Sequence, residues 1–179
     1  MNTDHPEQNR IDSADGTSLR ILNWSEREDS RARVLFVHGW AEHAERYALP
    51  AAFLRDRGYD CYAADVRGHG HSGGRRGYID RYDDYIEDVH AVVEWIKARG
   101  KGPMVLVGHS QGGLVVTRYI QSRSGARDLA GFVLSCPFFG LAMPVPGIKR
   151  FAGNIMSALV PAFAMDSGLD TAGLSKDEA

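Results

Sequence analysis

Val105-Leu106-Val107-Gly108-His109-Ser110-Gln111-Gly112-Gly113-Leu114-Val115-Val116 decides how this chain is read. An apolar, β-branched run leads into Gly-x-Ser-x-Gly, and a second apolar run with helical spacing leads out. A strand turning sharply into a helix lifts a serine hydroxyl above a sheet, where a base can reach it. Such a turn is tight, so Gly108 and Gly112 must be small. Ser110 is the candidate nucleophile. A free serine attacks poorly and needs a base beside it. Acyl transfer also needs donors waiting where the oxyanion forms. The N–H of Gln111 opens the helix and points the right way; the N–H of Trp40, just after His38-Gly39, is the expected second donor.

Outward from this turn the pattern alternates. Val34 to Val37 is a continuous apolar run, as in a strand buried on both faces. Arg46 to Gly58 reads as a helix with Tyr47, Leu49, Phe53 and Leu54 inward, and Asp60 to Val66 as a strand. Asp83 to Arg99 reads as a long helix with Tyr85, Ile86, Val89, Val92, Val93 and Ile96 on one stripe, and Asp83-Asp84 at its positive end. A helix runs on to about Ser122, and Gly131 to Cys136 is a strand. Ser18 to Trp24 alternates and reads as an edge strand. The order predicts an α/β fold: a mostly parallel sheet with helices on both faces and right-handed crossovers. Chemistry in such sheets sits at the carboxyl ends of strands. His38-Gly39-Trp40, Asp65 to Gly74 and Ser110 all fall there.

After Cys136 the character changes. Pro137, Pro144, Pro146 and Pro161 interrupt the alternation, and Lys149 to Val160 reads as an amphipathic helix. The expected division is therefore 1–136 as core and 137–179 as a separate segment.

The chain has 179 residues, 44% apolar and 25% charged, which is ordinary globular composition. A net charge of −2 with scattered Lys and Arg argues against a nucleic-acid partner. No apolar run is long enough to span a membrane, and residues 1–10 lack a signal core. Cys61 and Cys136 read as free thiols in buried strands, which suits a reducing, cytoplasmic setting.

Seven histidines need sorting. His109 adjoins Ser110 and diverges from it, so it is not the base. His38 reads as a residue that staples a loop; His5 and His90 read as solvated. His69-x-His71 lacks a third ligand at supporting spacing, so no metal is expected. Gly68, Gly70, Gly73 and Gly74 match no phosphate-binding pattern, so no nucleotide cofactor is expected. Glu42, His43, Arg46 and His109 lie near the active edge as candidate substrate-binding residues.

Phe36-Val37-His38-Gly39-Trp40-Ala41-Glu42-His43, Arg46-Tyr47, Asp65 through Gly74, and Gly108 through Gly113 together resemble the monoacylglycerol lipase and lysophospholipase group of the α/β-hydrolases. The resemblance runs from about residue 10 onward. It implies Ser110 as nucleophile, Trp40 and Gln111 as oxyanion donors, and a single-chain acyl ester as substrate. It makes 137–179 the beginning of a cap, a surface that could touch lipid. It also implies an acid and a base after the cap, in the order Ser, Asp, His. No histidine follows His109, and Asp128, Asp166, Asp170, Asp177 and Glu178 follow no late strand. The expectation is a shortened hydrolase, inactive alone, whose sheet continues past Phe132–Cys136 in its relatives. A peptidase, a haloperoxidase-like enzyme and a non-catalytic relative binding an apolar ligand are the alternatives.

Overall fold

The computed structural model describes residues 5–122, 127, 129–140 and 147–159. Among them, six strands form one sheet in the order β1-β2-β4-β3-β5-β6. These are β1 (Glu7–Asp12), β2 (Ser18–Asn23), β3 (Arg33–Val37), β4 (Asp60–Ala64), β5 (Met104–His109) and β6 (Gly131–Ser135). β1 and β2 are antiparallel, as are β2 and β4; β4, β3, β5 and β6 run parallel. The helices are α1 (Ala48–Arg55), α2 (Asp83–Lys97), α3 (Gln111–Gln121) and α4 (Gly147–Leu159), with a short 3-10 turn at Ala44–Tyr47.

β3 is buried along its whole length, because both faces of the sheet are covered there. On one face Leu35 and Val37 meet the α2 stripe and Val115, Val116 and Tyr119 of α3. On the other, Val34 and Phe36 meet Ala44 and Ala51. All six residues of the α2 stripe are buried. Burying one such aliphatic side chain is worth about 1.5–3 kcal/mol, so this helix anchors its face of the sheet.

Several expectations needed correction. Ser18–Asn23 is an inner strand, because the polar segment Glu7–Asp12 pairs along its outer side. Leu49 and Phe53 are 84% and 56% exposed, so α1 faces inward through Ala51. The Arg57 guanidinium sits 3.5 Å over the Phe53 ring and shields it. Cys136 is exposed and lies one residue past β6 in the left-handed region, φ 45°, while Cys61 is buried as read. His90 is half-buried, its Nδ1 3.4 Å from the Tyr119 hydroxyl.

The chain divides into two units, Met1–Gly140 and Leu141–Ala179. In the second, α4 covers most of the helix read at Lys149–Val160, and Ile148, Phe151 and Leu159 are exposed. Pro144, Pro146, Pro161, Asp128 and the late acidic residues lie outside the described residues.

Candidate active site

Parallel pairing of β3 with β5 sets Val37 opposite Gly108. Continued past the strand ends, that register brings His38 beside His109 and Gly39 beside Ser110. A Cβ on Gly39 would stand 3.0 Å from Ser110 Cβ and 3.3 Å from the His109 carbonyl oxygen. The chain runs from β3 to β4 on one side of it and then crosses back over β3 to β5 on the other. This point is therefore where the strand order reverses and an open crevice forms.

Ser110 has φ 51° and ψ −116°, a strained conformation for a residue with a Cβ. Backbone bonds hold it there: its N–H donates to Ser135 O at 3.0 Å, and its carbonyl accepts from Gly113, Leu114 and Phe138 at 3.0, 3.3 and 2.9 Å. A Cβ on Gly112 would lie 2.1 Å from the Val37 carbonyl oxygen, so the first turn of α3 touches the end of β3 directly. Among the described residues no acceptor takes the N–H of Trp40 or of Gln111, and no side chain hydrogen-bonds the Ser110 hydroxyl. Trp40, Tyr82, Ser110, Gln111, Leu114 and Phe138 line a hollow of about 410 Å³ with mostly apolar walls. The site combines a strained serine, two unbonded backbone N–H groups and an apolar groove.

The candidates divide sharply. Trp40 and Gln111 stand with Ser110. His109 turns away, its Nδ1 3.1 Å from the Ser135 carbonyl. His43 lies 3.7 Å from Glu45, and Arg46 lies 3.5 Å from Glu42; neither lines the hollow. Glu42 instead accepts the Gly39 N–H at 2.9 Å. Tyr82, Leu114 and Phe138 were missed. Phe138 follows β6 at the carboxyl edge, and Leu114 lies three residues along α3 from Gln111, so topology could have flagged both. Nothing in the sequence marks Tyr82.

His38 is buried and staples the loop, as read. Its Nε2 accepts the Val66 N–H at 2.9 Å, which leaves the proton on Nδ1 to donate to the Gly39 carbonyl at 2.8 Å. His69 packs edge-on against both His38 and Trp40. Beneath them, fully buried Asp65 accepts the N–H groups of Ala44 at 2.7 Å and His71 at 2.8 Å, and the Arg20 guanidinium at 3.2 Å. Arg67 grips Asp88 with two bonds of 2.6 Å and Asp15 with one of 2.7 Å. The glycine-rich loop from Asp65 to Gly74 is thus a structural brace for the edge that carries the site.

These buried groups make acid destabilising. Burial pushes the His38 imidazole below its ordinary value. Burial alone would raise the Asp65 carboxyl, but its backbone donors and Arg20 outweigh that and hold it low. Both groups bind their proton more weakly in the folded chain than in the unfolded one. Stability is therefore fully present above the unfolded values, near 6.5 and 3.9, and is lost as pH falls through the folded ones. The thermal midpoint should decline as pH drops below about 6.5, and again below about 4. A midpoint that climbs from pH 7 to pH 5 would contradict this assignment.

The chain is similar to known proteins. Residues 28–179 match the family described as serine aminopeptidase, S33. A monoacylglycerol lipase of Mycolicibacterium smegmatis is 33% identical over 159 residues, covering 86% of this chain and 54% of that protein. Phospholipase YtpA of Bacillus subtilis is 31% identical over 148 residues, covering 82% and 56%. The crystal structure of a monoacylglycerol lipase from Paleococcus ferrophilus aligns with a TM-score of 0.69 at 27% identity, covering 92% of this chain and 56% of that one. The chain spans about half the length of these relatives. No described helix is long and apolar enough to cross a membrane. With its elbow serine and the loop after β3 placed as they are, the chain belongs to the serine aminopeptidase S33 family, in the monoglyceride-lipase-like group of the α/β-hydrolases.

Proposed function

We propose that this chain carries the nucleophile and oxyanion donors of a serine hydrolase of carboxylic esters, acting on monoacylglycerols, lysophospholipids or similar single-chain acyl esters. The observation that carries the reading is Ser110, held at positive φ above β5 beside an apolar hollow and two unbonded N–H groups. Its Oγ attacks the ester carbonyl while the Trp40 and Gln111 N–H groups take the negative oxygen. The carbon–alkoxy bond then breaks, the alcohol leaves with a proton, and water releases the acid from the acyl-enzyme. The hydroxyl proton needs a base and its orienting acid, which the family's chain order places after the cap. The single-chain substrate fits one apolar groove and agrees with the names of the relatives. The apolar residues of α4 supply the contact with lipid, and the reduced Cys61 thiol suits the cytoplasm.

The naturally expressed protein, given monoacylglycerol, lysophospholipid and aminoacyl p-nitroanilide in parallel, should turn over the esters and leave the amide intact. Turnover of the anilide alone would move the assignment to a peptidase. Binding of fatty acid without turnover of any of the three would favour the non-catalytic alternative.

A further inference from the structure

Sequence reading put Glu42 among the substrate contacts, yet it does not line the hollow. Its side chain is largely covered and turned back toward the loop that follows β3. Ala41 adopts φ 58°, a left-handed conformation that costs an alanine free energy and reverses the chain. That reversal brings the Glu42 carboxylate back on Gly39, whose N–H it accepts at 2.9 Å. Arg46 reaches the other carboxylate oxygen at 3.5 Å. Strain at Ala41 thus leads to one specific bond.

That bond sits next to the reacting atoms. The Gly39 carbonyl and the Trp40 N–H belong to one planar trans peptide, so fixing one fixes the other. His38 Nδ1–H holds the carbonyl. Glu42 holds the N–H at the opposite end of the same residue. Gly39 cannot swing without breaking one of the two, and its Cα lies against Ser110.

We propose that Glu42 is a positioning residue, one that clamps Gly39 jointly with His38 so that the Trp40 N–H faces the oxyanion of a substrate attacked by Ser110. This rests on the hydrolase reading above. It differs from an ion-pair role for Glu42, because it is the hydrogen bond to Gly39 and not the charge that does the aiming.

The test is the rate at which a fluorophosphonate modifies Ser110 in the purified, naturally expressed protein, followed by intact mass. In that reaction the Oγ–P bond forms, the P–F bond breaks, fluoride leaves and the hydroxyl proton passes to the same base that ester hydrolysis needs. Negative charge grows on the phosphoryl oxygen, so the rate reads the donors directly. Losing an oxyanion donor outright costs about 10²–10³-fold, and a misaimed one should cost about 10–100-fold. Glu42→Asp keeps the charge but is one methylene short of Gly39; it should slow labelling by that amount. Glu42→Gln loses the charge but keeps an acceptor at full length, and should stay within about threefold of the parent. Thermal midpoints are taken for both, so that only folded protein is compared. Labelling of Glu42→Asp at the parent rate would overturn the proposal, as would equal slowing of both variants. Failure of Ser110 itself to label above the Ser110→Ala blank would instead overturn the hydrolase reading, and the proposal with it.

Discussion

Ser110→Ala should lower ester turnover of the naturally expressed protein by about 10⁶-fold. The size follows from what the substitution leaves behind. Alanine keeps the backbone bonds of the turn and the N–H groups of Trp40 and Gln111, so binding and oxyanion stabilisation persist. In serine hydrolases that remainder is worth roughly 10³–10⁴ over water, and the rest of the acceleration needs the nucleophile. Folding should be untouched, because Ser110 makes its recorded bonds through main-chain atoms. Steady-state kinetics beside a melting curve checks both halves. A folded variant that retained more than about a hundredth of the activity would place the nucleophile elsewhere.

Gly112→Ala should damage the fold itself. The added Cβ would lie 2.1 Å from Val37 O and 2.5 Å from His38 O, both backbone atoms, one in the fully buried strand β3 and the other just past its end. No side chain can rotate away to make room. Either α3 lifts off β3, opening the core around Val115 and Val116, or its first turn unwinds and the Gln111 N–H is lost as a donor. Overpacking typically costs about 1–3 kcal/mol, and with backbone atoms on both sides of the clash the cost should reach about 3 kcal/mol, a large share of the 5–15 kcal/mol that holds a typical domain together. For a chain of this size that is a fall of about 6–12 °C in the thermal midpoint. Gly131→Ala is the control, since nothing lies within 4 Å of its Cβ position. Equal midpoints for the two variants would show that the contact at Gly112 is slack.

The contrast between these glycines shows which parts of the molecule were legible from residues alone. The turn at Ser110 was, because a Gly-x-Ser-x-Gly between a strand pattern and a helix pattern has one geometric use. The stripe on α2 was, because fifteen residues are enough for a 3.6-residue period to stand out. β1 was not: Gln8 and Arg10 belong to a strand paired on one side only, and such a strand is polar for the reason that hid it. α1 misled because its buried contact is Ala51, while larger Leu49 and Phe53 drew attention to the wrong face. Glu42 was read as a substrate contact, and it turns back on Gly39 instead. Its direction depends on the backbone of Ala41, which no periodicity encodes. The brace at Asp65 and Arg67 was hidden because its partners, Arg20, Asp15 and Asp88, are scattered through the chain and meet only after the sheet forms.

The backbone of Ser110 has a consequence for how such a chain changes over generations. A serine at φ 51°, ψ −116° carries strain of about 1–3 kcal/mol, and a glycine at the same place would carry almost none. The four main-chain bonds that hold the turn would serve glycine equally well. Selection for stability alone therefore pushes position 110 toward glycine, and on the hydrolase reading proposed above it is selection for reactivity that holds a hydroxyl there. A copy of this fold relieved of its chemistry would be expected to lose the serine early and to gain robustness by the loss. On that reading the side chain at 110 is a record of what the lineage has been required to do.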